Sequence, residues 1–195
     1  VASISQDQQG FIWMGTNGLG LNKYNGLDYS IYQFDGKDST SLSSSLVHTT
    51  YIDEHNRLWI GTQTGLDLYN RNLDNFIRIP LPGQETGSGI AVHAVRELNN
   101  GKILVGTHQY GLITLDPESL KTMQVDITGI EEIRNFLIYS ISSFDGRTVI
   151  GTDKGLFEFN SENNSMAPLE FITLQGKEAI TSHIKTSRVD SKGTL

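Results

Sequence analysis

The 195 residues contain no cysteine and only 4 prolines. Without thiols there is neither a disulfide framework nor a thiolate metal site, which excludes the small cross-linked secreted scaffolds and leaves the compartment open. A basic block is also lacking: 15 Lys and Arg against 22 Asp and Glu give a formal charge of −7, dispersed along the chain. A nucleic-acid backbone or an anionic membrane is therefore a poor partner, and an uncharged or cationic ligand a better one. Long hydrophobic runs are missing as well. Those present, such as FLIY at 136–139, fall far short of the roughly 20 apolar residues that cross a bilayer, so no membrane insertion by this segment is expected. No initiator Met and no signal-peptide pattern stands at the start, where residues 1–7 already match 47–53. The sequence reads as a piece of a longer chain.

What is there is glycine, 20 of it, and a repeat. Gly15-Thr16, Gly61-Thr62, Gly106-Thr107 and Gly151-Thr152 recur at steps of 46, 45 and 45 residues. Each pair is followed by Gly-Leu (Gly20-Leu21, Gly65-Leu66, Gly111-Leu112, Gly155-Leu156). Residues 184–195 match 47–58 without a gap, so the start of a fifth copy is expected at 181–195.

The second copy shows what one unit is. Residues 47–52 are rich in β-branched and aromatic side chains, 53–56 supply a turn, and 58–62, 66–69 and 75–79 are three further strand-like runs separated by turn chemistry. Nothing in it has helical period. Four short antiparallel strands in about 45 residues make a propeller blade, and a blade must bury both faces against its neighbours. The predicted fold is all-β, a single propeller array with blades at 1–36, 46–80, 91–127 and 137–174 and the start of a fifth at 181–195.

The shared residues are read as scaffold. Trp13 and Trp59 share a register with Leu104 and Val149, so the slot asks for bulk and is assigned to the core between blades. The repeated Gly permits close strand approach or a bulge, and the Thr hydroxyl can satisfy a turn amide. The stretch 15–20 (GTNGLG) is not a phosphate loop: the Lys-Ser/Thr of that motif is missing and the sequence after it is strand-like.

Ile4, Asp7, Gly10, Ile12, Trp13, Gly15, Thr16, Gly18, Gly20, Leu21 and Tyr24 spell a pattern that resembles the two-component regulator propeller repeat. Asp53, Leu58, Trp59, Gly61, Thr62, Gly65, Leu66 and Tyr69 write it again, and residues 39–47 (STSLSSSLV) resemble that family's link between blades. The third and fourth copies have lost Trp. The resemblance implies part of a seven-bladed ring in the periplasmic sensor region of a hybrid two-component system, with a histidine kinase elsewhere in the parent protein. It implies an oligosaccharide or other small ligand as signal, control of glycan-utilisation genes, and the remaining blades of the parent chain as partners. A non-catalytic interaction or dimerisation propeller, with a homodimer as partner, is the alternative reading; a propeller lyase or glycosidase is a third.

Variation within the repeat then points to candidate sites, because binding residues tend to sit on loops held by rigid strands. Loops between second and third strands carry Asn17, then Gln63, then His108-Gln109-Tyr110, then Asp153-Lys154. His108, Gln109 and Tyr110 pair hydrogen-bonding groups with an aromatic face suited to a sugar ring. A second column, one residue into each innermost strand, holds His48, His93, Tyr139 and Lys185, expected at the mouth of the central channel. Two His in one column invite a metal, but no carboxylate accompanies them in register, so no metal and no cofactor is assigned. The 5 His have no Ser-His-Asp or glycine-elbow context, so no catalytic residue is assigned.

Overall fold

The computed structural model describes residues 1–84, 89–108, 110–127, 135–144, 146–173 and 176–179. Four four-stranded antiparallel sheets follow one another along the chain, each a plain meander. The first contains β1 (Ser3–Gln6), β2 (Ile12–Gly15), β3 (Leu21–Tyr24) and β4 (Tyr29–Tyr32), and the second β5 (Val47–Ile52), β6 (Leu58–Thr62), β7 (Leu66–Asn70) and β8 (Asn75–Ile79). The third contains β9 (Val92–Glu97), β10 (Ile103–Thr107), β11 (Leu112–Leu115) and β12 (Thr122–Gln124), and the fourth β13 (Ile138–Phe144), β14 (Arg147–Thr152), β15 (Gly155–Asn160) and β16 (Ser165–Pro168). No α-helix occurs among the described residues. The all-β propeller expectation holds. A separate hairpin of β17 (Glu170–Thr173) and β18 (Gly176–Ala179) follows the fourth sheet; the repeat did not announce it. The fifth copy expected at 181–195 lies outside the described residues.

Three apolar clusters lie between successive blades. Trp13 and Leu21 of the first blade meet Leu58, Ile60, Tyr69 and Phe76 of the second. Trp59 and Leu66 meet Val92, Val95, Ile103 and Val105 of the third. Leu104 and Leu112 meet Ile138, Ile150, Phe157 and Phe159 of the fourth. Both Trp are fully buried, as are Leu104 and, to within 1%, Val149, so the slot is a core position in every blade. Each indole N–H also has a fixed partner. Trp13 Nε1 donates to Asp7 Oδ2 and Trp59 Nε1 to Asp53 Oδ2, both at 2.9 Å. The other carboxylate oxygen of each Asp accepts two turn amides, those of Gln9 and Phe11 or of His55 and Arg57. One aspartate thus closes the hairpin and satisfies the buried indole.

The repeated glycine is a steric requirement between blades. A Cβ on Gly15 would stand 2.7 Å from Val47 Cγ1, one on Gly61 2.7 Å from the Val92 carbonyl oxygen, and one on Gly106 2.5 Å from Ile138 Cγ2. Val47, Val92 and Ile138 are the buried first residues of the next innermost strand. The threonine that follows turns its hydroxyl onto a loop carbonyl: Thr16, Thr62, Thr107 and Thr152 donate to Gly20, Gly65, Gly111 and Gly155 at 2.7, 3.1, 2.8 and 3.0 Å. The same oxygens accept amides of Leu19, Gly65 and Lys154. Each loop between second and third strands is thereby closed on its own Thr, with one residue more in the first and third blades than in the second and fourth.

Candidate ligand site on the innermost strands

The innermost strand of each later blade carries one residue too many. In β5, Val47 faces Thr62 and Thr49 faces Gly61, so His48 between them has no opposite number. In β9, Val92 faces Thr107 and Ala94 faces Gly106, which leaves out His93. In β13, Ile138 faces Thr152 and Ser140 faces Gly151, which leaves out Tyr139. These are β-bulges, and a bulge re-aims the side chain it frees. The buried residue before each bulge locks onto the preceding blade's glycine, while the bulged residue lines a shared cavity. The column read from the sequence is therefore the bulge column.

Its members touch. The imidazoles of His48 and His93 stack with centroids 4.0 Å apart and planes within 15°. His108, from the loop after β10, stacks on the other face of His93 at 4.1 Å and 17°. Tyr139 closes the row edge-on, 5.6 Å from His108 and 6.4 Å from His93. At the opposite end, Gln63 Oε1 lies 2.9 Å from His48 Nε2, so the tautomer protonated there donates to it. The resulting ladder runs across three blades. A cavity of about 350 Å³ beside it is lined by Ala2, Ser3, His48, Thr49, His93, Tyr139, Ser140 and Ser142 among others.

The ladder is electrically neutral at its centre. Burial first, then the neighbouring His48 and His108, pushes the His93 imidazole down to about 3. Burial and His48 also lower His108, against an opposing pull from the Asp153 carboxylate. His108 Nε2 is buried with no hydrogen-bond partner. Parallel rings direct their in-plane lone pairs side by side, and no three His, Asp or Glu side chains among the described residues are grouped to hold a metal ion.

Of the candidates read from the sequence, His48, His93, Tyr139, His108 and Gln63 come together. The others are placed elsewhere. Asn17 is exposed and bridges by its backbone to Leu46. Tyr110 packs with the core between the second and third blades, its ring against Gly83, whose φ is +90°. Asp153 Oδ1 accepts the amide of Leu137 at 2.9 Å and its Oδ2 lies 3.4 Å from Lys154 Nζ, so both are engaged at the start of β13. Gln109 and Lys185 lie outside the described residues. Sequence reasoning missed the hydroxyl lining of Ser3, Thr49, Ser140 and Ser142, and the union of loop and column. A signal for the union existed: Gln63 follows His48, and His108 follows His93, by the same 15 residues.

Sheet order, blade-bridging cores and bulged inner strands define a β-propeller array. The two component regulator propeller model matches residues 1–18 and 41–64, the segments that hold both Asp–Trp pairs. Among curated proteins, histidine kinase P4 of Formosa agariphila is 29% identical over 132 residues, covering 65% of this chain and 10% of that protein. Among solved structures, the extracellular domain of BT4673 from B. thetaiotaomicron, assigned to a hybrid two component system, superposes with a TM-score of 0.80 at 19% identity, over 98% of this chain and 25% of that one. The extracellular domain of BT3049 from the same organism gives 0.66 at 21% identity, over 86% of this chain and 29% of that one. The chain thus spans a tenth of the curated relative's length and about a quarter of the solved domains.

Proposed function

We propose that this chain is a ligand-sensing segment of a hybrid histidine kinase, standing in a seven-bladed ring on the extracytoplasmic side of the membrane. Its signal is an oligosaccharide, and its output is control of glycan-utilisation genes. The observation that carries the proposal is the convergence of bulge residues from three consecutive innermost strands on one polar cavity, with His108 stacked on His93 beside it. Ring faces beside hydroxyl groups are the equipment for holding a sugar, and a rigid scaffold with one variable residue per blade suits selection among sugars. The likeness to extracellular domains of two component systems supports the setting. In this reading the segment binds its ligand without turning it over. The free energy delivered to a kinase is the ligand's differential affinity for two arrangements of the sensor.

Calorimetric titration of the chain with a panel of oligosaccharides tests this. Binding by at least one, weakened tenfold or more by His93→Ala with the thermal transition retained, is the expected result. Binding of proteins with no sugar bound would replace it with the interaction-module reading.

A further inference from the structure

Resting on the sensing role proposed above, we infer that this cavity selects an uncharged, hydroxyl-rich ligand and discriminates at neutral pH against carboxylated or sulfated oligosaccharides.

The lining residues carry no formal charge: hydroxyls come from Ser3, Thr49, Tyr139 and Ser140, and rings from His48 and His93. An anion entering such a space gives up hydration without meeting a fixed cation, and a neutral polyol exchanges hydrogen bonds with water for hydrogen bonds with hydroxyls and imidazoles. The groups facing the ladder from each packed element keep it that way. The second blade contributes His48 and the uncharged Gln63, and the first contributes Ala2 and Ser3 to the cavity wall. The fourth contributes Tyr139 and, toward His108, the carboxylate of Asp153. The lysine beside that carboxylate, Lys154, has its Nζ 3.4 Å from Asp153 Oδ2 and does not line the cavity.

Histidine clusters commonly attract anions by taking up protons, and here stacking works against that. A proton on His93 would place a cation between two imidazole faces about 4 Å away on either side, in a half-buried site. Burial is the larger cause of the lowering at both His93 and His108; the neighbouring His48 and His108 add to it at His93, and His48 at His108. The centre of the ladder therefore stays neutral over the range in which an ordinary imidazole charges.

The experiment compares neutral probes (maltotetraose, cellotetraose, mannotetraose) with anionic ones (a galacturonate trisaccharide and a heparin tetrasaccharide) by calorimetry at pH 7.5. Proton NMR of the histidine rings of the unliganded chain is followed from pH 8 to 5. Expected are a neutral probe bound at least 100-fold more tightly than any anionic one, and a His93 ring signal that holds its neutral position throughout. His93→Arg is expected to reverse the order of the probes. Tighter binding of an anionic probe at pH 7.5, or a His93 signal that titrates with a midpoint of 6 or above, overturns this inference and leaves the sensing role standing. Failure of every probe to bind overturns the sensing role, and this inference with it.

Discussion

Trp59 donates its indole N–H to Asp53 Oδ2 at 2.9 Å across a single hairpin, and both side chains are buried. The first blade repeats the pair as Trp13 and Asp7. The third blade replaces both members at once, with Leu98 and Leu104 in the corresponding places and both in one apolar cluster. Polar and apolar versions of the pair are thus alternatives. Asp53→Leu leaves a buried indole N–H and the Arg57 Nε and amide without their acceptor, while Arg57 Nη1 keeps Glu118 and the Pro117 carbonyl, and is expected to cost about 3 kcal/mol. Trp59→Leu is expected to cost about 3 kcal/mol through lost packing. The double variant Asp53→Leu/Trp59→Leu should cost less than the sum by at least about 1 kcal/mol, read as a coupling energy from urea unfolding. Strict additivity would refute the pairing.

The inter-blade glycines should not be equally intolerant. A Cβ on Gly61 meets the Val92 carbonyl oxygen, which belongs to the next blade's ladder and cannot retreat. On Gly15 it meets the Ser3 hydroxyl and a Val47 methyl, both side-chain atoms with some latitude. Gly61→Ala is expected at the upper end of the roughly 1–3 kcal/mol typical of overpacking, and Gly15→Ala at the lower end. Denaturation midpoints at constant m-value give the comparison; equal costs would show that the blades yield as readily at the backbone as at side chains.

Arg71 reaches from the second blade to the first, donating Nη1 to Asp7 Oδ2 at 2.8 Å and Nε and Nη2 to the Asn56 carbonyl at 3.1 and 3.0 Å. Burial works to raise the Asp7 carboxyl, and the Trp13 indole and Arg71 outweigh it, holding the group below the ordinary carboxylate range. A depressed carboxylate contributes stability that is present above the ordinary value and lost as pH falls through the folded one. Arg71→Met is therefore expected to destabilise at pH 7 by about 3 kcal/mol, with the gap to the parent narrowing toward pH 3. Arg71→Lys should recover only part, since an ammonium cannot serve both partners as the planar fork does. A gap that does not change with pH would remove Asp7 from the account.

Two groups act on pH dependence with opposite sign. Burial pushes the Asp67 carboxyl up to about 6 against two bonds from Ser43, and its Oδ1 has no partner. The folded chain then binds more protons than the unfolded one from about pH 4 to 6, so stability falls as pH rises through that window. His93, pushed down to about 3, makes the unfolded chain the better proton binder from about pH 6.5 downward, so stability falls as pH falls. The slopes oppose each other where the windows overlap. Asp67→Asn should stabilise at pH 7.5 by on the order of 1–3 kcal/mol, with the gain gone by pH 4. His93→Gln should flatten the rise of stability with pH below about 6.5, with the lowered His108 keeping its own share. Thermal unfolding across pH reads both; parallel profiles for all three proteins would contradict these assignments.

Much of this was legible because blade structure is written locally. The runs at 47–52, 58–62 and 75–79 are β5, β6 and β8 as observed, and 66–69 falls short of β7 by only Asn70. Alternation and turn residues fix strands within a hairpin, and the repeat supplies the same signal several times. The extra hairpin of β17 and β18 had no copy elsewhere to be read against. At the site, the column of His48, His93 and Tyr139 was visible as a register. That His108 would enter it was not, because the contact depends on how the loop after β10 folds back over the bulge at His93. Tyr110, two residues on, packs instead on Gly83 and the core between the second and third blades. Nearby residues in a loop diverge, and a list of loop residues cannot say which way each one turns.

The unpaired residue in β5, β9 and β13 also bears on how such a protein changes over generations. Each answers to no partner across the strand, so exchanging it leaves the register of the strand pairing and the buried cores between blades as they were. A propeller of this kind carries its preferences in a few interchangeable letters, one to a blade. A new taste can be acquired by changing single codons while the frame around them stays old.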